Sequence, residues 1–561
     1  VILLTSIVSL FIIIQQHYTK SKTQKINPKL TAILSAYSIL SIASYIFSQT
    51  PNQGLAEITQ DLSLFCLFIS LIKIPKTTLN LNQFLSSISK IIISIQSVFV
   101  IYQVYILKAE RTYGTFFHWY DHRLVYPNAL GLCLVTTVFL LQNPKQKHQT
   151  FWTTLALSSL FFTYSRGAIL AGLFTGMLLI AQTVLSKNFK KIIKPITSIL
   201  IASLIFISTN QLLLNNQPEQ IEEKLTFQGT EHITSVMERL QFFTQTPKLI
   251  IQKPIFGYGP SSYEYIFPTI QKIPLSNSQH PHNIFLKIGS ERGLIALFVF
   301  LSIILLTLHK TLTTKDYQST LHLLLALTAA LLHSQIDYNF NLPLNSLLFI
   351  LILSTIWQKH PSHKINQTYL LIPAILLIFT SQLFFKHLTY KAGAISPLNL
   401  SKINYLDSSI LAAKQTSNLS QKINLVRTHT QKNKYDSFAI SHLGHLYTKN
   451  NQLNQAIQQF QKSIQINPKN FWYPYNQLLQ AHITTNTNPS LETIQEILNN
   501  LTEYQNAAAQ NLHYTSQSDN LIQAIQTTEN LLKLNLTSTQ RASTLNIQKS
   551  LRSSHKSFNS N

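Results

Sequence analysis

From Val1 to about Phe385 the chain is a succession of apolar runs separated by short polar loops, and after Lys386 no such run recurs. In hydrocarbon a backbone must satisfy its own N–H and C=O groups, which leaves the helix as the form for a separate span. Runs lie near residues 1–16, 29–48, 60–75, 84–107, 124–142, 149–164, 166–186, 193–214, 283–308, 319–335, 343–358 and 368–386. At ~20 apolar residues per span this amounts to about 12 spans, with 60–75 and 149–164 the shortest. The fold class expected is therefore all-α, a polytopic membrane helix bundle over 1–386 with a long outer loop at 215–282. No small-residue cleavage site follows the first run, so a span is expected there in preference to a cleaved signal peptide.

Composition supports this and removes other classes. The 561 residues carry 44 Lys+Arg against 20 Asp+Glu, a formal net charge of +24, yet only 11% are charged. The globular norm is ~25%. A basic soluble protein built to hold nucleic acid would be charge-rich, so no nucleic-acid partner is expected. The 32 Phe and 23 Tyr do not fit a disordered chain. Cys66 and Cys133 both sit in apolar runs, which excludes a disulfide scaffold or a cysteine-rich metal site.

Lysines cluster in alternate loops (Lys20 to Lys29, Lys73 and Lys76, Lys145 and Lys147, Lys187 to Lys194, Lys310 and Lys315, Lys359 and Lys364), which marks those loops as cytoplasmic. The loop 215–282 and everything after Lys386 then lie outside. The five arginines of this half, Arg111, Arg123, Arg166, Arg239 and Arg292, avoid the lysine loops. The first four fall in outer loops or at outer helix ends. A guanidinium grips phosphate bidentately where an ammonium cannot, so Arg123, Arg166 and Arg239 are candidates for an anion site.

The segment Gln279-His280-Pro281-His282-Asn283 closes the long loop and opens a span. Asn283 suits an N-cap, and the free N–H groups of a helix start attract anions. His282 stands at that end and exchanges a proton near neutral pH, so it is the candidate base. Along the same helix, Lys287 and Glu291 share a face. Glu291 falls about 12 Å below Asn283, at a depth where an ionisable group requires a partner. Gly257-Tyr258-Gly259-Pro260 forms a glycine loop, without the preceding strand that a dinucleotide site needs. His333 and Asp337 are one turn apart, a spacing better suited to a local hydrogen bond than to a metal.

After residue 386 one period is legible. Ile440, Leu443, Gly444, Tyr447, Ala456, Phe460, Ser463 and Pro468 fit a tetratricopeptide register, with the best repeat at 437–470. A repeat needs neighbours to bury its faces, so a C-terminal α-helical repeat domain is expected over 387–536. The Ser-, Asn- and Lys-rich stretch 537–561 reads as a flexible tail.

Taken together and in this order, Pro127-Asn128, Ser165-Arg166-Gly167, Gly257-Tyr258-Gly259, His282-Asn283-Ile284-Phe285-Leu286 and Glu291-Arg292-Gly293 resemble the bacterial O-antigen ligase and O-antigen polymerase family over roughly 100–350. The resemblance implies a multi-span glycosyltransferase of the cell envelope. Its donor is a glycan on polyprenyl diphosphate, and its acceptor is a lipid, a glycan or a protein. No cofactor and no metal are implied. His282 would be catalytic, and Arg123, Arg166 and Arg239 would bind the diphosphate. Asn283, Glu291, Gly257 and Gly259 would support them. The location implied is the inner membrane, with lipids around the bundle and the C-terminal repeats outside, available to a protein partner. A polymerase joining repeat units shares these motifs. A transporter would gather its polar residues at mid-membrane with internal symmetry, and a scaffold anchored only to present the repeats would need neither the arginines nor His282.

Overall fold

The computed structural model describes residues 7, 28–74, 78–109, 112, 127–143, 146–214, 230–274, 278–313, 317–358, 375–382, 409–509 and 518–559. The expected run at 1–16, all but one residue of it, lies outside these, as do Arg123, residues 215–229 of the long loop and most of 368–386. Described residues are helical or irregular, without a strand.

Among the described residues, six helices are long and apolar enough to cross a membrane: Lys29–Ile46, Gln53–Lys73, Leu81–Ile106, Arg166–Leu185, Ile192–Leu213 and Ile284–Leu312. Three shorter apolar helices, Pro127–Leu140, Leu321–His333 and Leu344–Gln358, accompany them. The expected twelve spans are not reached among the described residues. The thirteen residues of Leu321–His333 rise only about 20 Å against a hydrocarbon core of about 30 Å. This helix runs through the middle of the bundle: Leu323, Ala326, Leu327 and Ala329 are fully buried. It packs on Pro127–Leu140 and on the helix Arg166–Leu185. The run at 149–164 is likewise a short helix, Gln149–Phe161, against Lys190–Ser208.

Other helices turn apolar side chains outward. Leu170, Leu173, Phe174, Met177, Ile180 and Val184 form an exposed stripe at helical spacing. A soluble protein would hide such a surface, and a lipid-facing helix requires it.

We label four elements: α1, Pro28–Ile46; α2, Pro51–Lys73; α3, Thr230–Gln252, within the long loop; and α4, Ile284–Leu312. α1 and α3 both pack against α4. α4 is kinked at Gly293, whose φ of 87° and ψ of 169° leave helical space.

The C-terminal helices have their own apolar core, built around Trp472, Tyr475, Tyr504, Phe460 and Leu501. Ser437–Lys449 and Leu453–Ile466 form a hairpin in which Gly444 meets Phe460 so closely that a Cβ would lie 2.6 Å from the ring. Residues 538–559, expected to be a flexible tail, form a helix instead. Thr544, Ile547 and Leu551 are buried at helical spacing, so three inward side chains dock a segment whose overall composition is polar.

Candidate functional site

α4 begins where the sequence places it. Asn283 is its N-cap in extended backbone, with Oδ1 accepting from the N–H groups of Phe285 (2.9 Å) and Leu286 (3.1 Å). Its Nδ2 donates to the carbonyl of Gln335 at 3.2 Å, and Ile284 N–H donates to the carbonyl of Ser334 at 2.9 Å. The start of α4 is thus fastened to residues 334–337, the turn that follows Leu321–His333. Arg239, on α3, donates from Nε to the carbonyl of Ile336 at 3.0 Å. Gly167 packs beside His333 and Ile336. One short turn therefore collects the Ser-Arg-Gly corner, Arg239 and the His-Asn motif, and Arg166 and Arg239 lie within electrostatic range of each other.

His282 is the strained member of this group. Its φ of 51° is left-handed, a conformation that a non-glycine residue holds only when its surroundings impose it. Here they do. Nδ1 lies 2.7 Å from Asp337 Oδ1, Nε2 lies 3.2 Å from Ser278 Oγ, and the ring stacks on Phe242 at 5.6 Å between centroids. Burial alone would raise the Asp337 carboxyl. The charge and hydrogen bond of His282 outweigh it and hold Asp337 well below the usual carboxylate range. An ionised Asp337 accepts Nδ1–H, which leaves Nε2 as the basic nitrogen. His280 sits edge-on to His282 at 4.8 Å, and burial followed by its neighbour's charge pushes it down to about 3. The local His333–Asp337 bond runs through the backbone, Asp337 N–H donating to the His333 carbonyl at 3.0 Å, and not between the side chains. The Asp337 carboxylate turns to His282, and among the described residues neither ring nitrogen of His333 has a hydrogen-bond partner. A one-turn spacing gave proximity in sequence, but the helix ends at His333, so Asp337 is free to point elsewhere.

Deeper along α4 lies a cluster that sequence reasoning saw only in part. Lys287 Nζ lies 2.5 Å from Glu291 Oε2 and 3.1 Å from Glu57 Oε2. Arg292 reaches Glu57 at 2.7 Å and Asp61 at 2.6 Å. Two cations of α4 thus meet two carboxylates of α2 and one of their own helix, and Lys287 and Arg292, unexplained from sequence, have their partners. Glu57 and Asp61 were missed. The available signal was their four-residue spacing, which puts two acids on one face of an apolar run where an ionisable group needs a partner.

Glu291 also receives the N–H of Ser261 (3.2 Å) and of Tyr263 (3.3 Å), which ties the glycine loop to α4. Its role here is structural. Gly257 and Gly259 lie at φ of 64° and 107°, and a Cβ on Gly257 would sit 2.3 Å from the Glu291 carbonyl carbon. Only glycine lets the loop lie flat on the Gly293 kink, where Tyr258 and Gly259 donate to the carbonyls of Ser290 and Glu291.

Residues 151–301 match the family model described as O-antigen ligase. That stretch is similar to an O-antigen ligase domain. The matched stretch holds Arg166, Arg239, the glycine loop and the His282 motif, while Arg123 and Asp337 fall beyond it. A Rickettsia conorii protein named as a polysaccharide ligase is 29% identical over 178 residues, 30% of this chain and 41% of that protein. A Rickettsia felis protein named in the same way is 28% identical over the same extent. The chain thus spans about two fifths of the length of the curated relatives it matches. No solved structure matches it. The long apolar helices, with the ligase-like stretch 151–301, support a multi-pass membrane protein.

Proposed function

We propose that the protein transfers a glycan from polyprenyl diphosphate to an acceptor hydroxyl at the outer face of the cytoplasmic membrane, with its C-terminal helices on that side. The observation that carries this is the 2.7 Å pair of His282 and Asp337 at the cap of α4. A base is required to take the acceptor proton as the sugar–phosphate bond breaks. Asp337 orients the imidazole and stabilises the imidazolium that forms. The leaving diphosphate gains charge, which fixed cations and helix N–H groups offset. Arg166 and Arg239, brought near the same 334–337 turn by two different helices, are suited to that, and Arg123 joins them by the resemblance of its motif. The name of the Rickettsia relatives supports transfer of a polysaccharide in particular.

The test is transfer by purified protein supplied with a polyprenyl-diphosphate glycan. His282→Ala should lose ~10²–10⁴ in rate with unchanged protein level and membrane insertion. Asp337→Asn should slow transfer and displace the acidic limb of its pH profile, the limb on which a general base loses its proton. His280→Ala should be mild. A His282→Ala rate within a few-fold of wild type removes the residue from the mechanism.

A further inference from the structure

The C-terminal helices hold a groove of about 490 Å³ whose lining includes Arg427, Gln431, Lys434, Tyr447, Gln459 and Lys462. Three cations face it, and among the described residues no carboxylate lines it. Arg427 is anchored from behind: Nε donates to the Tyr447 hydroxyl at 3.0 Å, and the guanidinium lies 5.8 Å from that ring's centroid. Tyr447 is buried, so its position is set by the core. An anchored guanidinium keeps its terminal nitrogens for a planar oxyanion and loses little freedom in binding it. Apart from Leu443, the remaining lining is amide and hydroxyl, the groups that pair with sugar hydroxyls.

We propose that this groove binds an acidic glycan, holding a carboxylate or phosphate carried on a sugar between Arg427, Lys434 and Lys462. The position of the groove supports a glycan occupant. Lys434 lies within electrostatic range of Lys253, and the neighbouring Tyr435 ring meets Tyr258 edge-on at 6.2 Å. Tyr258 belongs to the glycine loop on α4. The groove's Lys434 thus stands near Lys253 and near the loop that buttresses the proposed transfer site. A sugar chain reaching that site would have one face of the groove to follow. The identity of the occupant rests on the glycan-transfer reading, and the binding chemistry does not.

Full-length protein in a detergent without a sugar headgroup should be titrated calorimetrically with oligogalacturonate, a phosphorylated oligomannose, a neutral malto-oligosaccharide and oligo-glutamate. At least one acidic sugar should bind, with affinity falling as salt is added. The neutral sugar should not bind. Arg427→Gln and Lys462→Gln, both at exposed positions, should each weaken binding about tenfold, the worth of one charged hydrogen bond, and Arg427→Lys should weaken it less. Binding of the carboxylate sugar alone or the phosphate sugar alone identifies the oxyanion and supports the proposal either way. Absence of binding by both acidic sugars, equal binding of the neutral one, binding of oligo-glutamate alone, or unchanged affinity in both Gln variants would overturn it. Because binding is read without turnover, an inactive transferase with a working groove is distinguished from an active one without it.

Discussion

Replacing Gly257 by alanine adds one carbon to the protein at a place where there is no space for it. The new Cβ would lie 2.3 Å from the carbonyl carbon of Glu291, 2.5 Å from its oxygen and 2.6 Å from Arg292 N. These are backbone atoms, so no rotamer change relieves the overlap. Alanine also pays ~1–2 kcal/mol for left-handed backbone, which the φ of 64° imposes. Separation of the loop from α4 breaks the bonds from Tyr258 to Ser290 (3.0 Å), from Gly259 to Glu291 (2.9 Å) and from Leu294 to Pro254 (2.7 Å). At a net ~1 kcal/mol each, the whole change costs roughly 3–5 kcal/mol. With ~2–4 °C per kcal/mol in a unit of 150–250 residues, the melting temperature in detergent should fall by roughly 6 °C or more. Gly176→Ala is the control, because a Cβ there meets nothing within 4 Å. A Gly257→Ala melt indistinguishable from that of wild type would show that the loop does not lie on the kink as described.

Arg292→Met should destabilise by about 3–5 kcal/mol, since it strands Asp61 without its cation and leaves Glu57 with Lys287 only; adding Asp61→Asn should recover part of the loss in the same melt. Arg166→Lys should transfer glycan almost as poorly as Arg166→Ala, because an ammonium lacks the planar fork, and full activity in the lysine variant would reduce Arg166 to a point charge. Stability should depend on acid in two stages. His280 is held near 3, below its ordinary 6.5, so the unfolded chain binds the extra proton, and stability present above pH 6.5 declines as pH falls toward 3. Asp337, held below its ordinary 3.8, adds a further loss beneath that value. His280→Phe should flatten the first stage, and an unchanged melt between pH 7 and 4.5 would contradict the buried neutral imidazole.

The features legible in the sequence were those that depend on short stretches of chain. The Asn283 cap, the inward Gly444 against Phe460, and the apolar runs all follow from local pattern. His282 and the glycine loop were singled out from motif and position. The partners that fix them were not, because they come from far away: Asp337 is 55 residues from His282, and Glu57 is 235 from Arg292. Nothing in the vicinity of an acid in an apolar run says which cation it will meet. The twelve expected spans are not reached among the described residues for a related reason. Hydropathy cannot separate a helix that crosses lipid from one such as Leu321–His333, which is apolar because protein surrounds it. The tail was misjudged because average composition conceals three well-spaced inward residues.

The ion cluster between α2 and α4 also constrains how the chain is made. α2 leaves the ribosome more than two hundred residues before Lys287 and Arg292. Until they arrive, Glu57 and Asp61 have no cation from α4, and an unpaired acid at mid-helix disfavours insertion by ~2.5–3.5 kcal/mol. α2 must therefore wait, shallow in the bilayer or sheltered by the insertion machinery, while the helices between are laid down. A nascent chain stopped before residue 284 should be a substrate for membrane quality control. One stopped just after 312 should be able to close the bundle's charge pairs and persist.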